Sequence, residues 1–189
     1  MFDRLKIATV AAALAGAALL AGVVYAGGET GQSDSSSLQT GAPAPDFTGI
    51  TSWINSPPLD MKQLRGKVVL VDFWTFDCIN CAHTIPYVKD WYARYHDKGL
   101  VVVGVHTPEY SFEHKTENLQ NAVKRFGIEY PIAQDNEYST WNAYGNQYWP
   151  ALYLFDQQGR LVYSHFGEGN YAETEKTIRA LLGLGDKRS

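Results

Sequence analysis

The chain has 189 residues, in which 20 Asp and Glu outnumber 16 Lys and Arg, and its formal net charge is −4 at pH 7. No basic run occurs in the body of the sequence, so we expect no nucleic-acid partner. Once an apolar N-terminal segment and a polar stretch are set aside, about 145 residues remain, which is enough for one domain with a hydrophobic core.

The first 26 residues have the features of an export signal. Arg4 and Lys6 precede an uncharged apolar run at residues 7–24, and the sequence up to Ala26 is typical of a cleavage site. The run is also close to the ~20 residues that span a bilayer. Residues 7–26 could therefore remain as a membrane anchor, and a buried helix is a third alternative. The signal and the anchor both place the domain in the bacterial periplasm or on the extracytoplasmic face of the membrane.

Residues 27–42 are rich in Gly and Ser and predict a flexible linker, because so few apolar side chains cannot stabilise a fold. The domain is then expected at residues 43–185, where apolar runs predict strands and helical spacing predicts helices. The predicted strands are 67–74, 100–106, an edge strand at 131–134, 151–156 and 160–166. The predicted helices are a short turn at 60–65 and longer segments at 85–98, 113–126, 138–144 and 173–184.

This alternation predicts an α/β fold, a mixed central β-sheet flanked by helices, with its chemistry beyond the carboxyl ends of the parallel strands. Cys78 and Cys81, the two cysteines of the chain, follow the first long strand directly. A redox dithiol, half of a metal site, a static disulfide and two neighbouring core residues would each explain their spacing.

A helix that begins near Cys78 would favour its thiolate, the nucleophilic form, through the free N–H groups of the first turn. Cys81 would lie one turn further along the same face and could attack a mixed disulfide formed at Cys78.

Asp72 lies within the apolar strand, where a charge is costly. It could act as an acid–base that exchanges a proton with Cys81; the alternative is an acid in water or held by hydrogen bonds. Trp149-Pro150 precedes a later strand, and its bond would be trans on frequency alone, since about 5–6% of X–Pro bonds are cis.

The stretch DFWTFDCINC, the helix with Pro86 that follows it, and Trp149-Pro150 before a predicted hairpin resemble the thioredoxin superfamily. The stretch LRGKVVLVDFW, the long insertion at 106–156 and the sequence FGEGNY are similar to the extracytoplasmic TlpA-type proteins, and most of all to the C-terminal redox domains of DipZ proteins. The resemblance covers residues 43–183. It implies a thioredoxin fold with a TlpA-type N-terminal extension and central insertion.

The resemblance also implies roles for individual residues. Cys78 would be the nucleophile, Cys81 the resolving thiol and Asp72 the buried acid beneath them. Pro150 would be a cis-proline that faces the disulfide, and the backbone of Trp149 would pair with an extended substrate segment. No cofactor is implied besides the redox-active disulfide itself.

Aromatic residues near these segments could form an apolar platform for partner proteins. Contact with a partner is favoured for Trp149, and Phe76 is a further candidate for substrate binding. For Phe76 and for Trp74, packing in the core is the favoured role.

The sequence departs from the superfamily at several positions. Ile79-Asn80 replaces the Gly-Pro of thioredoxin itself, and Asp77 stands in place of a tryptophan. Thr84 occupies the position where some TlpA-type reductants carry a glutamate. Glu109 could replace that acid, unless it is a solvated loop residue.

The function implied is that of an extracytoplasmic protein-disulfide reductase. It would be recharged by a membrane electron donor of the thiol–disulfide type and would pass electrons to oxidised client proteins, such as apocytochrome c, copper-site cysteines or methionine sulfoxide reductases. A dithiol can run in either direction, and its reduction potential decides between reductase and oxidase.

A peroxiredoxin-like thiol peroxidase is an alternative, because Thr75 lies three residues before Cys78 as in that family. Val71 stands where that family has a proline, which weakens the match.

A copper-binding metallochaperone of the same fold is another alternative. Cys78, Cys81 and His83 could supply ligands, and thiolates suit Cu(I). His106 and His165 are the candidates for a distant ligand.

Overall fold

The computed structural model describes residues 38–185 of the chain. Its strands are β1 (Ser52–Ile54), β2 (Val68–Trp74), β3 (Leu100–His106), β4 (Ile132–Gln134), β5 (Ala151–Phe155) and β6 (Leu161–Phe166). Its α-helices are α1 (Ile79–Tyr95), α2 (Thr116–Phe126), α3 (Ser139–Ala143) and α4 (Tyr171–Leu181), and 3-10 turns lie at His96–Lys98 and Ser111–His114.

The strands form one sheet in the order β1-β4-β3-β2-β5-β6. β2 is parallel to β3 and antiparallel to β5, and β3 is parallel to β4. Every residue of β2 is buried, as expected for a strand covered on both of its faces. The mixed sheet flanked by helices that the sequence predicted is therefore confirmed.

Side chains of β2 alternate between two hydrophobic cores. Leu70 packs on the face covered by α1, together with Trp91 of that helix. Phe73 points to the other face, where its ring meets Trp141 edge to face at 5.8 Å between centroids. Asp72 is two residues from Leu70, so its side chain lies on the face that α1 covers.

The predicted strand at 131–134 is present as β4, but the prediction that it is an edge strand is wrong. β1 lies outside it in antiparallel register, with Trp53 opposite Ala133. The side-chain nitrogen of Asn55 then donates to the carbonyl oxygens of Ile128 and Tyr130, which ties the chain after β1 to the segment before β4. β1 has three residues, too few for a detectable alternation of apolar and polar positions.

The predicted helix at 113–126 is interrupted near its start. Residues Ser111–His114 form a 3-10 turn, Lys115 is extended with φ −74° and ψ 116°, and α2 begins only at Thr116. Glu113 is the reason for the break, because its side chain turns into the protein and binds backbone N–H groups of the preceding loop. The predicted turn at 60–65 contains no helix, and the last helix spans Tyr171–Leu181 instead of 173–184.

The chain is hydrogen-bonded to the β5–β6 hairpin from its first described residues onward. The backbone of Gly41 donates to Leu161 at 2.8 Å, Leu161 donates back to Ala42 at 2.9 Å, and Ala44 donates to Gly159 at 2.8 Å. The predicted export signal or anchor at 1–26 and the linker up to residue 37 lie outside the described residues. Within residues 38–185, no helix is both long enough and apolar enough to cross a membrane.

Candidate active site

Cys78 lies directly before α1, at the carboxyl end of β2, and is the N-cap residue of that helix. Its backbone is extended, with φ −101° and ψ 115°, and its sulfur accepts a hydrogen bond from the backbone N–H of Cys81 at 3.2 Å. A sulfur in this position meets the unpaired N–H groups and the positive end of the helix dipole, both of which stabilise a thiolate. The sequence-based expectation that a helix begins near Cys78 is therefore confirmed.

The two cysteines form a disulfide, with 5.2 Å between their Cα atoms. They differ in exposure, because Cys81 is 1% exposed whereas Cys78 is only half-buried. The neighbouring Ile79 is 68% exposed, and Cys78 lines a shallow surface cleft together with Phe76 and Ala82. An incoming disulfide would therefore reach the sulfur of Cys78 first.

Asp72 is 1% exposed, on the side of the sheet that carries α1 and Cys81. Burial raises the pKa of Asp72 to about 7, so its carboxyl can gain and lose a proton near neutral pH. One of its oxygens has no hydrogen-bond partner among the described residues, and the same holds for Trp74 Nε1 and the Tyr130 hydroxyl. A buried acid with this pKa is suited to proton transfer.

Gly104 makes room for these polar groups. It lies opposite Asp72 on β3, and a Cβ added to it would come within 3.0 Å of Trp74 Nε1 and 3.1 Å of the Tyr130 ring. Burial, and to a smaller extent the charge of Asp72, raises the pKa of Tyr130 well above its usual value. Asp72 therefore lies close enough to Tyr130 for the Asp72 charge to act on it, and this tyrosine stays protonated.

The Trp149–Pro150 peptide bond is cis, which confirms the expectation drawn from the resemblance. Pro150 is buried at the start of β5, whose first residue, Ala151, pairs with Phe73 of β2. This register places Pro150 beside the end of β2, where the active-site loop begins.

The side chain of Trp149 is half-buried and packs within the protein. Its Nε1 donates to the carbonyl oxygen of Thr107 at 3.1 Å, and its ring lies 4.3 Å from that of Trp141 between centroids. Phe76 is also half-buried, stacked on His106 at 5.4 Å and near Phe112 at 5.9 Å. Client contact by the Trp149 backbone and by Phe76 stays a prediction.

Sequence reasoning missed Glu113, which is 0% exposed and lies beside the active-site loop. Its carboxylate accepts hydrogen bonds from the Thr75 hydroxyl, from Asp77 N at 3.1 Å, and from the backbone N–H groups of Glu109 and Tyr110 at 2.7 and 2.9 Å. A glutamate three residues after a helix start is a known capping signal, but here the start lies in a 3-10 turn that the sequence did not indicate.

The positions singled out for a replacement acid have other roles. The Glu109 side chain is exposed. Its backbone N–H donates a hydrogen bond to Glu113 beside the active-site loop. Thr84 is buried in α1, where its hydroxyl donates to the carbonyl oxygen of Asn80 at 3.0 Å and lies 3.3 Å from the Tyr171 hydroxyl.

Thr75 and His83, which were invoked for peroxide and copper chemistry respectively, have other polar partners. Thr75 is buried, donates to Glu113 and lies 3.3 Å from His106 Nε2. His83 Nδ1 lies 3.1 Å from a carboxylate oxygen of Glu168. Between residues 38 and 185, no three His, Cys, Asp or Glu side chains are arranged to hold a metal ion.

Known proteins share this fold and this sequence pattern. The Redoxin family model matches residues 39–182. Protein DipZ of Mycobacterium bovis is 53% identical over 148 residues, which cover 77% of this chain and 21% of DipZ. Thiol-disulfide oxidoreductase YkuV of Bacillus subtilis is 29% identical over 140 residues, which cover 74% of this chain and 94% of YkuV.

The crystal structure of a thiol-disulfide isomerase from Corynebacterium glutamicum has a TM-score of 0.66 and 27% sequence identity, and the match covers 74% of this chain and 96% of the isomerase. The chain thus belongs to the Redoxin family, within the thioredoxin superfamily of thiol–disulfide oxidoreductases. It spans about a fifth of the length of its DipZ relatives.

Proposed function

We propose that the protein reduces disulfides in client proteins outside the cytosol. The observation that carries this proposal is the arrangement of three groups: an accessible sulfur at the start of α1, a buried sulfur bonded to it, and a buried acid with a pKa of about 7 on the same side of the sheet. This arrangement supplies a nucleophile, a resolving thiol and a proton acceptor.

The reduced protein would begin the reaction with the Cys78 thiolate. This sulfur attacks one sulfur of the client disulfide, a Cys78–client bond forms, and the other client sulfur leaves as a thiolate that takes up a proton. The N–H groups at the start of α1 stabilise the attacking thiolate, which raises its abundance at neutral pH. Because Cys81 is buried, the mixed disulfide is expected at Cys78 alone.

Cys81 would complete the reaction from inside the protein. The Asp72 carboxylate accepts the proton of the Cys81 thiol, and the resulting thiolate attacks the sulfur of Cys78. The Cys78–Cys81 disulfide forms and the second client sulfur leaves as a thiolate, so two electrons pass from the protein to the client. Both client thiolates take up their protons from water, and Asp72 releases to water the proton that it accepted from Cys81. An acid with a pKa of about 7 can accept this proton at physiological pH.

The site of action and the electron source are part of the proposal. The apolar segment at 7–26 and the similarity to DipZ support a place in the periplasm or on the outer face of the membrane. A membrane electron donor of the thiol–disulfide type would reduce the disulfide again after each turnover. The clients are oxidised proteins that present a disulfide to the exposed side of Cys78, close to Ile79.

Measurement of the reduction potential tests the direction. The protein is equilibrated with glutathione redox buffers, and the fraction with a free dithiol is determined by alkylation and mass spectrometry. A reductase is expected to lie well below the value of about −120 mV found for a strong disulfide donor. A potential close to that value would reject the reductase assignment.

A trapping experiment tests the mechanism. Cys81→Ser leaves Cys78 free to attack a client but removes the resolving thiol. Mixed disulfides with periplasmic proteins should therefore accumulate, and dithiothreitol should reduce them. Cys78→Ser is the matched control and should trap none. Equal trapping by the two variants would contradict the assigned order of attack.

A further inference from the structure

Glu113 connects two loops beside the disulfide through four hydrogen bonds. One carboxylate oxygen accepts from the Thr75 hydroxyl and from the backbone of Asp77. The other accepts from the backbone of Glu109 and Tyr110. The loop from β2 to α1 is thereby fixed to the segment after β3, and one of the donors, the backbone N–H of Asp77, lies one residue before Cys78 in the active-site loop.

Glu113 carries a negative charge at neutral pH. Burial opposes its ionisation, but the hydrogen bonds from Thr75 and from the N–H groups of Tyr110, Glu109 and Asp77 outweigh it, so the pKa of Glu113 lies below its usual value. No Lys or Arg between residues 38 and 185 forms an ion pair with this carboxylate. Among the described residues, no Lys or Arg therefore cancels this fixed charge.

The other titratable groups around Glu113 do not cancel its charge either. His106, which contacts Thr75, is buried, and burial lowers its pKa to about 4, so it is neutral at pH 7. Asp77 and Glu109 are acidic residues like Glu113, and burial raises the pKa of the nearby Tyr138 further above its usual value of 10.0. His114 is exposed and follows Glu113 in the chain.

We propose that Glu113 is a positioning residue that sets the electron-donating strength of the dithiol, an inference that rests on the proposed reductase function. Its hydrogen bond to Asp77 N orients the loop that presents Cys78. Its fixed charge opposes formation of the Cys78 thiolate, which the start of α1 favours. A less stable thiolate means a less stable reduced form, so the dithiol gives up its electrons more readily.

The variant Glu113→Gln tests this proposal because it removes the charge and keeps the size of the side chain. The alkylation rate of Cys78 by iodoacetamide is measured against pH, and the equilibrium constant with glutathione is measured at pH 7. We expect the midpoint of the alkylation profile to move to lower pH by about half a unit to one unit. The equilibrium constant should shift towards the reduced protein by about three- to tenfold, as for one partly screened charge.

Two variants separate the charge from the local structure. Glu109→Gln removes an exposed charge from the same segment, and its effect should be clearly smaller because solvent screens it. Thr75→Val removes one hydrogen bond to Glu113 but keeps the charge, so its alkylation profile should stay near that of the wild type. An unchanged profile in Glu113→Gln, or equal shifts in all three variants, would overturn the proposal.

A measurement on the unmodified protein covers the case in which Glu113→Gln does not fold. With ¹³C-labelled glutamate, the Glu113 carboxyl resonance should show a step at the pH where Cys78 ionises in the reduced protein. The step should be absent from the oxidised protein and from Cys78→Ser, and its absence from the reduced protein would reject the coupling. These measurements need no client protein. They can therefore reject the role of Glu113 while client reduction is still observed, and client reduction can fail while the role of Glu113 is supported.

Discussion

The backbone N–H of Cys81 donates a hydrogen bond to the sulfur of Cys78 at 3.2 Å. The backbone of Cys81 thus stabilises a negative charge on the Cys78 sulfur, whereas Cys81 itself is only 1% exposed. The two thiols of the reduced protein are therefore expected to differ strongly in reactivity.

Brief alkylation of the reduced protein should label Cys78 at least about tenfold faster than Cys81, because only Cys78 is both accessible and close to the helix start. Peptide mass spectrometry after a timed pulse of iodoacetamide measures the ratio. The single variants Cys78→Ser and Cys81→Ser give the rate of each thiol separately. Faster labelling of Cys81 would contradict the assignment of Cys78 as the nucleophile.

The raised pKa of Asp72 predicts how stability depends on pH. A carboxyl whose pKa is about 7 in the folded state and 3.8 in the unfolded state stabilises the fold fully below pH 3.8. This contribution is lost as the pH rises towards 7. Asp72→Asn, which cannot ionise, should therefore be more stable than the wild type at pH 8, by up to about 4 kcal/mol.

Urea unfolding of the oxidised proteins at pH 4, 6 and 8 measures this difference, which should be small at pH 4 and grow with pH. Asp77→Asn is the matched control, since Asp77 is exposed, and its difference from the wild type should be small at each pH. An Asp72→Asn protein no more stable than the wild type at pH 8 would show that the buried carboxyl is not destabilising when ionised.

Gly104→Ala should destabilise the protein by about 1–3 kcal/mol, the usual cost of overpacking a core. The added Cβ would lie 2.6 Å from Ile132 Cδ1 and 3.0 Å from Trp74 Nε1. Thermal or urea unfolding measures the loss. The second substitution Ile132→Val removes the Cδ1 atom of the nearest contact, so the double variant should lose less stability than the two single losses combined; simple additivity would contradict the contact.

Ile79→Ser should lower kcat/KM for a protein disulfide by about three- to tenfold, because Ile79 offers apolar surface that a protein client can bury. A small aromatic disulfide, which contacts little beyond the sulfur, should be reduced at nearly the wild-type rate. Val162→Ser, at an exposed position on β6, is the control and should affect neither substrate. Equal losses for both substrates would assign Ile79 a local structural role instead.

The sequence was sufficient for the central part of the fold. The apolar runs of β2 and β3 gave their bounds to within a residue, because strands buried on both faces are almost continuously apolar. The polar residue of β2, Asp72, was singled out by the cost of a charge in such a strand, and its burial was implied by the family resemblance. The cis bond at Trp149–Pro150 followed from the family resemblance, since frequency alone favoured trans.

Features that depend on distant contacts were not predictable from local patterns. β1 exists because Trp53 and its neighbours pair with β4, some 80 residues away in the chain. Glu113 was only the first residue of the helix predicted at 113–126, and its burial depends on the Thr75 hydroxyl and the Asp77 backbone, which only the folded chain brings to it. Such long-range polar contacts leave no periodic signal in the sequence.

The burial of one sulfur beside an accessible one has a consequence for selectivity. Small oxidants and thiols in the surroundings can collide with Cys78, but they cannot draw electrons directly from Cys81. In the proposed reductase, every electron pair would therefore leave through a covalent bond to Cys78. Burial of Cys81 restricts the second step to an attack from within the protein.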